Sequence, residues 1–322
     1  MANAKLLELL SRHGEYNIVG HVRPDGDCVG SQLAIYDILR AKNIGCNIVK
    51  NDNYGHILSL FFAGYQLRSC ENFNEKLPLI CVDCSDCKRV GPEIFSKCHK
   101  PYLNIDHHIS NDGFAENNII DATSSSTAQM IASMLLSEGV DFGEGIARAL
   151  YLGIMTDTNR FAYDTATVDT IKIVETLMGK GVSISEMYRA VYERDGMQKY
   201  RLLEKFLHNM TVFAGGSCCT SFVTDVDFAE TDSDPLDTEG FVNYTRQIDG
   251  VRVGAFLEMH ASYTKCSLRS KSADFRMDLF AKRFGGGGHP AAAGFVVDGG
   301  NGNFYAEFRK LLAEHVEGLS DG

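Results

Sequence analysis

Tyr102-Leu103-Asn104-Ile105-Asp106-His107-His108-Ile109-Ser110-Asn111 is the stretch on which the reading of the fold turns. Residues 102–105 form an apolar run that reads as a short buried strand, so one acid and two imidazoles emerge together at its carboxyl end. In an open parallel sheet that is where ligands bind. Three more apolar runs in the first half deliver acids in the same way: 17–22 before Asp25 and Asp27, 79–82 before Asp83, and 150–155 before Asp157. The four stretches read as one site.

Around them, strand-like runs alternate with helical patterns. A helix is expected from about Gly30, with Val29, Leu33, Tyr36 and Leu39 on one face, followed by a strand over 46–50 and helices over 127–137 and 146–155. This alternation predicts an α/β fold with a parallel sheet built from βαβ units. After Phe161 the pattern turns helical over 165–178 and 185–194, and a helix over 197–209 reads as a connector. From Met210 the chain becomes richer in strands, at 210–214, 218–226 and 251–260, with helices expected over 238–247 and 275–284. The domain reading is therefore a metal-binding catalytic domain over 1–195, a connector helix over 196–209 and a smaller α/β substrate-binding domain over 210–322.

Bulk properties narrow the function. A chain of 322 residues, 44% hydrophobic and 23% charged, has the composition of a folded globular protein long enough for two cores. Its net charge of -11, from 31 Lys and Arg against 42 Asp and Glu, would repel a long polyanion, so a phosphorylated partner should be short and long duplex nucleic acid is excluded. No export signal is evident, and no stretch approaches the roughly 18 uninterrupted apolar residues of a spanning helix, so no membrane partner is expected. Ten scattered cysteines lack a paired framework, which points to reduced thiols in a cytoplasm.

The loop His21-Val22-Arg23-Pro24-Asp25-Gly26-Asp27 places three ligand types between a strand and a helix. By itself it also reads as a polar turn with Asp27 near a helix N-cap. Collected with the other strand ends it gives four carboxylates, Asp25, Asp27, Asp83 and Asp157, with the imidazoles of His21, His107 and His108. A mixed Asp and His set suits Mn2+, Zn2+ or Fe2+ better than Ca2+. Two dications would balance the four carboxylates, which without metal would repel one another and take up protons. Two such ions suit in-line phosphoryl displacement by an activated water.

A second signal is Arg283-Phe284-Gly285-Gly286-Gly287-Gly288-His289-Pro290. It reads either as a flexible spacer or as an anion site, with Pro290 in the first turn of a helix whose N-terminus attracts phosphate. Nearby, Lys265, Arg269, Lys271, Arg276, Lys282 and Arg283 outnumber Asp274 and Asp278 and form a candidate phosphate clamp. A competing constellation, Cys81-x-x-Cys84-x-x-Cys87 with Cys98 and His99 downstream, has spacing compatible with zinc or an iron-sulfur cluster, though buried cysteine acting as a small hydrophobe explains it. His13, His56, His208, His260 and His315 have no partnered spacing.

Together these motifs resemble the DHH phosphoesterase superfamily, in the two-domain branch with a C-terminal DHH-associated domain typified by nanoRNase/pAp phosphatases. The resemblance rests on the loop from His21 to Ser31, on Cys81-Val82-Asp83-Cys84-Ser85-Asp86, on Asp106-His107-His108, on Gly153-Ile154-Met155-Thr156-Asp157-Thr158-Asn159-Arg160-Phe161, and on the glycine run with His289. It implies one Mn2+ held by His21, Asp25 and Asp83, and another held by Asp27, Asp83, His107 and Asp157. It further implies that Asp106 orients an imidazole, that His108 meets the scissile phosphate, and that Arg160 belongs to the catalytic set. Arg269, Gly286, Gly287, Gly288 and His289 would bind the substrate's other phosphate or terminal nucleotide from across a cleft between the domains. Asn159 departs from the family, where glycine often stands, and leaves the orientation of Arg160 open.

The implied activity is metal-dependent hydrolysis of very short RNA from an end, with removal of the 3'-phosphate of pAp as a second reaction. Alternatives are the same chemistry on a cyclic or linear dinucleotide and, from a different class, a non-catalytic nucleotide sensor. A homodimer is allowed and not required.

Overall fold

The computed structural model describes residues 6–98, 100–299 and 302–318, without the side chains of 302 and 303. The chain divides into two compact units, Met1–Arg194 and Asp195–Gly322.

In the first unit, six strands form one sheet: β1 (Glu15–Val19), β2 (Gly45–Lys50), β3 (Leu67–Ser69), β4 (Leu79–Val82), β5 (Leu103–Asp106) and β6 (Asn117–Ile120). Their order is β3-β2-β1-β4-β5-β6, and every neighbouring pair is parallel. All four residues of β4 and of β5 are buried, as expected of central parallel strands covered on both faces. The edge strand β3 is exposed throughout and β6 alternates, which is why neither stands out as an apolar run.

The helices are α1 (Leu6–Leu10), α2 (Gly26–Ala41), α3 (Gly55–Ser59), α4 (Pro92–Lys97), α5 (Thr127–Ser137), α6 (Glu144–Asp157), α7 (Val168–Gly179) and α8 (Ile184–Tyr192). One core joins Ile18, Ile48 and Ile80 of the sheet to Val29 and Leu33 of α2, Ile131 of α5 and Leu150 and Ile154 of α6. The strand order reverses between β1 and β4. The crevice at the carboxyl ends of these two strands is the topological switch point, the place where open α/β sheets bind ligands.

The helix expected over 146–155 is α6, and it corrects the grouping of Asp157 with the strand ends: Asp157 is the last residue of that helix, and its apolar approach is the helix's buried face. A short apolar run cannot by itself separate buried strand from buried helix.

The second unit carries a mixed sheet of β7 (Thr211–Phe213), β8 (Cys218–Thr224), β9 (Val253–Met259), β10 (Tyr263–Ser270), β11 (Gly287–His289) and β12 (Ala292–Asp298), ordered β11-β12-β10-β9-β8-β7. Only the β8–β9 pair is parallel among the described strands. Helices α9 (Met197–His208), α10 (Asp225–Thr231) and α11 (Phe241–Gln247) pack on one face through Phe206, Phe228, Phe241 and Phe256. Helices α12 (Met277–Lys282) and α13 (Gly302–Gly318) cover the other through Phe280, Phe308 and Leu312 against Leu268 and Phe295.

Two details differ from the sequence reading. The strand expected over 218–226 stops at Thr224, whose side chain and that of Asp227 form a reciprocal capping box that starts α10. No helix follows Pro290: the glycine run is a hairpin, with Gly287 opposite Gly294 and His289 opposite Ala292. A Cβ at Gly286 would stand 2.2 Å from the Gly294 carbonyl oxygen, and one at Gly288, where φ is 142°, 2.5 Å from that of Ala292. These two glycines are demanded by close backbone approach. A Cβ at Gly287 meets only open space, so the hairpin does not require glycine there.

Candidate functional site

Each element of the first unit brings one part of the site. Asp25 is the N-cap of α2; its Oδ1 accepts the backbone N–H groups of Asp27 at 3.1 Å and Cys28 at 3.0 Å, and its Oδ2 lies 3.8 Å from His21 Nε2. The N-cap, which the sequence reading set near Asp27, is thus Asp25, and its second oxygen is left facing His21. Asp27, the second residue of α2, is buried and aimed at the N-terminus of α5, where Thr127 N–H and Ala128 N–H donate to its two oxygens at 2.7 and 2.9 Å. A helix N-terminus is a natural partner for a carboxylate, and each oxygen keeps a further lone pair.

Asp83 follows β4 in a left-handed conformation, φ 59°, which an aspartate tolerates better than a branched residue. It is 2% exposed and stands at the centre: Oδ2 lies 3.3 Å from His21 Nε2, Oδ1 lies 3.7 Å from His107 Nε2, and Thr127 Oγ1 donates to Oδ1 at 3.0 Å. Asp157 closes the far side, with Oδ2 3.4 Å from His107 Nε2.

The imidazoles share one device. His21 Nδ1 is 2.9 Å from the Val22 carbonyl oxygen and His107 Nδ1 is 3.3 Å from that of Ser124. A carbonyl can only accept, so in each ring Nδ1 is a donor, and Nε2, turned to the acids, is the nitrogen an ion would take once it displaced any proton there. His108 Nδ1 is 2.7 Å from Asp106 Oδ1, and Asn111 Nδ2 donates to the other Asp106 oxygen at 2.6 Å. Asp106 therefore orients His108 rather than His107.

Two groups of donors result, His21 with Asp25 and Asp83, and Asp27 with His107 and Asp157; within each, the ligating atoms lie within 4.8 Å of one another. Asp83 also groups with His107 and His108, but the His108 nitrogen nearest to it is committed to Asp106. Carboxylate and imidazole donors so grouped could hold a divalent metal ion.

Electrostatics say the same. Burial, with the charges of Asp83 and Asp157, pushes the Asp27 carboxyl well up, and burial with Asp25 and Asp83 does so for Asp157. Burial opposes the charged form of His21, yet the hydrogen bonds and charges of Asp25 and Asp83 outweigh it and raise the imidazole to about 10. The same contest, won by His21, His107 and His108, holds Asp83 well below the usual carboxylate range. The acid cluster is thus stable as charged groups only beside cations.

Among residues the sequence reading missed, Thr127, Ser124 and Asn111 set the ligands through contacts across 44, 17 and 5 residues respectively. Gly153 is another. A Cβ there would stand 2.5 Å from Asp27 Oδ1 and 2.5 Å from Ala128 Cβ. Gly153→Ala is expected to destabilise the first unit by about 1–3 kcal/mol through overpacking and to weaken metal binding by displacing Asp27, measured by thermal melts with and without Mn2+.

Arg160 is not brought into the acid cluster. Its guanidinium lies 5.0 Å from the centre of the Tyr192 ring and donates to Asn159 Oδ1 at 3.0 Å. Asn159 has φ 47°, a conformation glycine adopts freely and asparagine tolerates, which accounts for the departure from the family at this position.

In the second unit, Arg269 on β10 and His289 on β11 both pair with Ala292 on the strand between them. Directly opposed residues share a face, so the guanidinium and the imidazole stand in one row about 10 Å apart. The basic island around them is partly neutralised: Lys265 pairs with Glu258 at 2.7 Å and Arg276 with Asp278 at 2.6 Å. His260 is not solitary, its Nδ1 lying 2.6 Å from Asp225. Among the described residues no cysteine joins a donor group close enough to share an ion; His99 lies outside them. No helix among the described residues is long and apolar enough to cross a membrane.

A parallel sheet with acids and imidazoles gathered at its switch point is the setting of the class of protein to which sequence similarity leads. Residues 15–154 match the DHH family N-terminal domain and residues 215–318 the DHHA1 domain, and the chain belongs to the DHH family of phosphoester hydrolases. It is 30% identical to the bifunctional oligoribonuclease and PAP phosphatase NrnA of Thermus thermophilus over 89% of this chain and 85% of that one. The Bacillus subtilis protein of the same name is 26% identical over 91% and 92% of the two chains. An exopolyphosphatase-related protein from Bacteroides fragilis superposes with a TM-score of 0.89 at 26% identity, covering 98% of this chain and 96% of that one.

Proposed function

We propose that this protein is a two-metal phosphoesterase that releases mononucleotides from very short RNA and removes the 3'-phosphate of pAp. The observation that carries the reading is the pair of donor groups meeting at Asp83. Relatives named for oligoribonuclease and PAP phosphatase activity along nearly the whole chain support the substrate class.

In this reading His21, Asp25 and Asp83 hold one divalent ion, and Asp27, Asp83, His107 and Asp157 hold the other, with Mn2+ the preferred metal. Bound there, the ions would supply an activated water and charge neutralisation for in-line displacement. Asp106, itself held by Asn111, keeps the His108 ring turned so that Nε2 faces the scissile phosphate. Arg160 would approach the substrate by leaving Tyr192. In the second unit the row of Arg269 and His289 would bind the other phosphate or the terminal nucleotide, with Gly287 exposing backbone beside it. Such recognition favours short substrates, as does the net charge of -11. Ten free thiols support a reducing, cytoplasmic setting.

The test is a panel in Mn2+: pAp, RNA and DNA of two to five nucleotides, long duplex DNA, a cyclic dinucleotide and pyrophosphate. Short RNA and pAp are expected to be cleaved fastest and long duplex DNA left intact. Preferential turnover of pyrophosphate or of the cyclic dinucleotide would replace the substrate assignment, and tight binding of pAp without turnover would favour a sensor.

A further inference from the structure

Arg89 is a cation at this site that no motif singled out. It lies in the 3₁₀ turn Cys87–Val90 after β4, where the Asp86 side chain accepts the N–H groups of Lys88 at 2.7 Å and Arg89 at 3.2 Å. Its carbonyl oxygen accepts Val22 N–H at 2.7 Å, fastening the turn to the residue that follows His21. The backbone is therefore fixed beside the metal-binding loop by bonds that do not involve the side chain.

The side chain behaves differently. The residue is half-buried, its Nε is fully buried, and among the described residues its guanidinium makes no hydrogen bond or ion pair. A guanidinium carries five donors and is almost always paired when removed from water. Its turn is bonded to the loop that carries His21 and Asp25, which sets the residue beside the carboxylate cluster. The carboxylates there are already engaged with the histidines, with Thr127 and with the N-terminus of α5, and they leave Arg89 unmatched.

We propose that Arg89 binds the phosphoryl group of the substrate, its planar fork taking two phosphate oxygens beside the loop that carries His21. The inference rests on the phosphoesterase reading and adds to it the residue that grips the reacting phosphate. With two dications balancing four carboxylates, an incoming phosphate brings uncompensated negative charge, and Arg89 supplies the matching positive one. Lysine would keep the charge and lose the bidentate geometry.

The experiment compares wild type, Arg89→Gln and Arg89→Lys, all loaded with Mn2+. Calorimetric titration with adenosine 5'-monophosphate and with inorganic phosphate reads binding; KM and kcat on a ribodinucleotide read turnover; Mn2+ titration and thermal melting read the metal site and the fold. Arg89→Gln is expected to weaken both anions by roughly ten- to a hundredfold, with a similar loss in kcat/KM, and Arg89→Lys to fall between. Mn2+ affinity and melting temperature should stay at the wild-type values. Anion binding by Arg89→Gln at wild-type strength, or loss of Mn2+ binding in parallel with anion binding, would overturn the inference. Failure of the wild type to cleave any substrate would instead overturn the phosphoesterase reading, and the anion titrations would still report on Arg89.

Discussion

Asp83→Asn is expected to lower phosphoester hydrolysis by about a thousandfold or more while leaving the fold intact. The side chain is nearly isosteric, and its remaining carbonyl oxygen can still accept from Thr127 Oγ1, so packing around β4 and α5 is retained. What is lost is charge. Among the described residues Asp83 is the one acid within reach of both His21 and His107, at 3.3 and 3.7 Å, and so joins the two donor groups. An amide also places an N–H where a ligand lone pair is needed, which turns a shared ligand into a repulsive contact for an ion. A single carboxylate such as Asp25, half-exposed and shared with helix capping, should matter less. The check is kcat/KM on a ribodinucleotide beside Mn2+ stoichiometry; equal activity with two bound ions in Asp83→Asn would remove Asp83 from its central role.

Chelation is expected to abolish activity and to lower the melting temperature of the first unit, both restored by Mn2+. Four carboxylates in one crevice repel one another, and burial already pushes Asp27 and Asp157 towards protonation. An ion at a hundred times its dissociation constant stabilises the folded state by about 2.7 kcal/mol. For a domain of this size that is a shift of about 5 to 10 °C. Differential scanning calorimetry of chelated and Mn2+-loaded protein reads it. Identical melting curves and undiminished turnover after chelation would mean that the cluster is not a metal centre.

How much of this was legible in the sequence depends on whether the signal was local. The four acids and the histidines were found because each follows an apolar run within a few residues, and strand ends in a parallel sheet converge on one crevice. Asp157 falls in with the strand ends although its run lies in the helix expected over 146–155, since the end of α6 delivers an acid to the crevice as a strand end does. The hairpin at 287–294 was misread as a helix start because Pro290 suits a first helical turn, whereas the antiparallel pairing of β11 and β12 depends on partners that local pattern does not show. Strand β10 was missed although its alternation is regular, with Thr264, Cys266, Leu268 and Ser270 buried, since Lys265 and Arg269 made the stretch read as a basic island.

What was not legible is mostly long-range. The hold of Thr127 and Ala128 on Asp27 spans about a hundred residues, and nothing near either end announces it. The tautomers of His21 and His107 are set by carbonyls whose positions follow from the fold. Arg89 differs again: the role proposed for it starts from a buried Nε with no hydrogen-bond partner among the described residues, and only a structure can show that.

The central claim is that the cluster around Asp83 is a metal-dependent phosphoesterase centre. The most direct test is the initial rate of mononucleotide release from a ribodinucleotide by wild type and by Asp83→Asn, each after chelation and after return of Mn2+, with melting curves as the folding control. The account predicts activity in only one of the four samples, Mn2+-loaded wild type. Undiminished release by chelated wild type, or by folded Asp83→Asn in Mn2+, would contradict it.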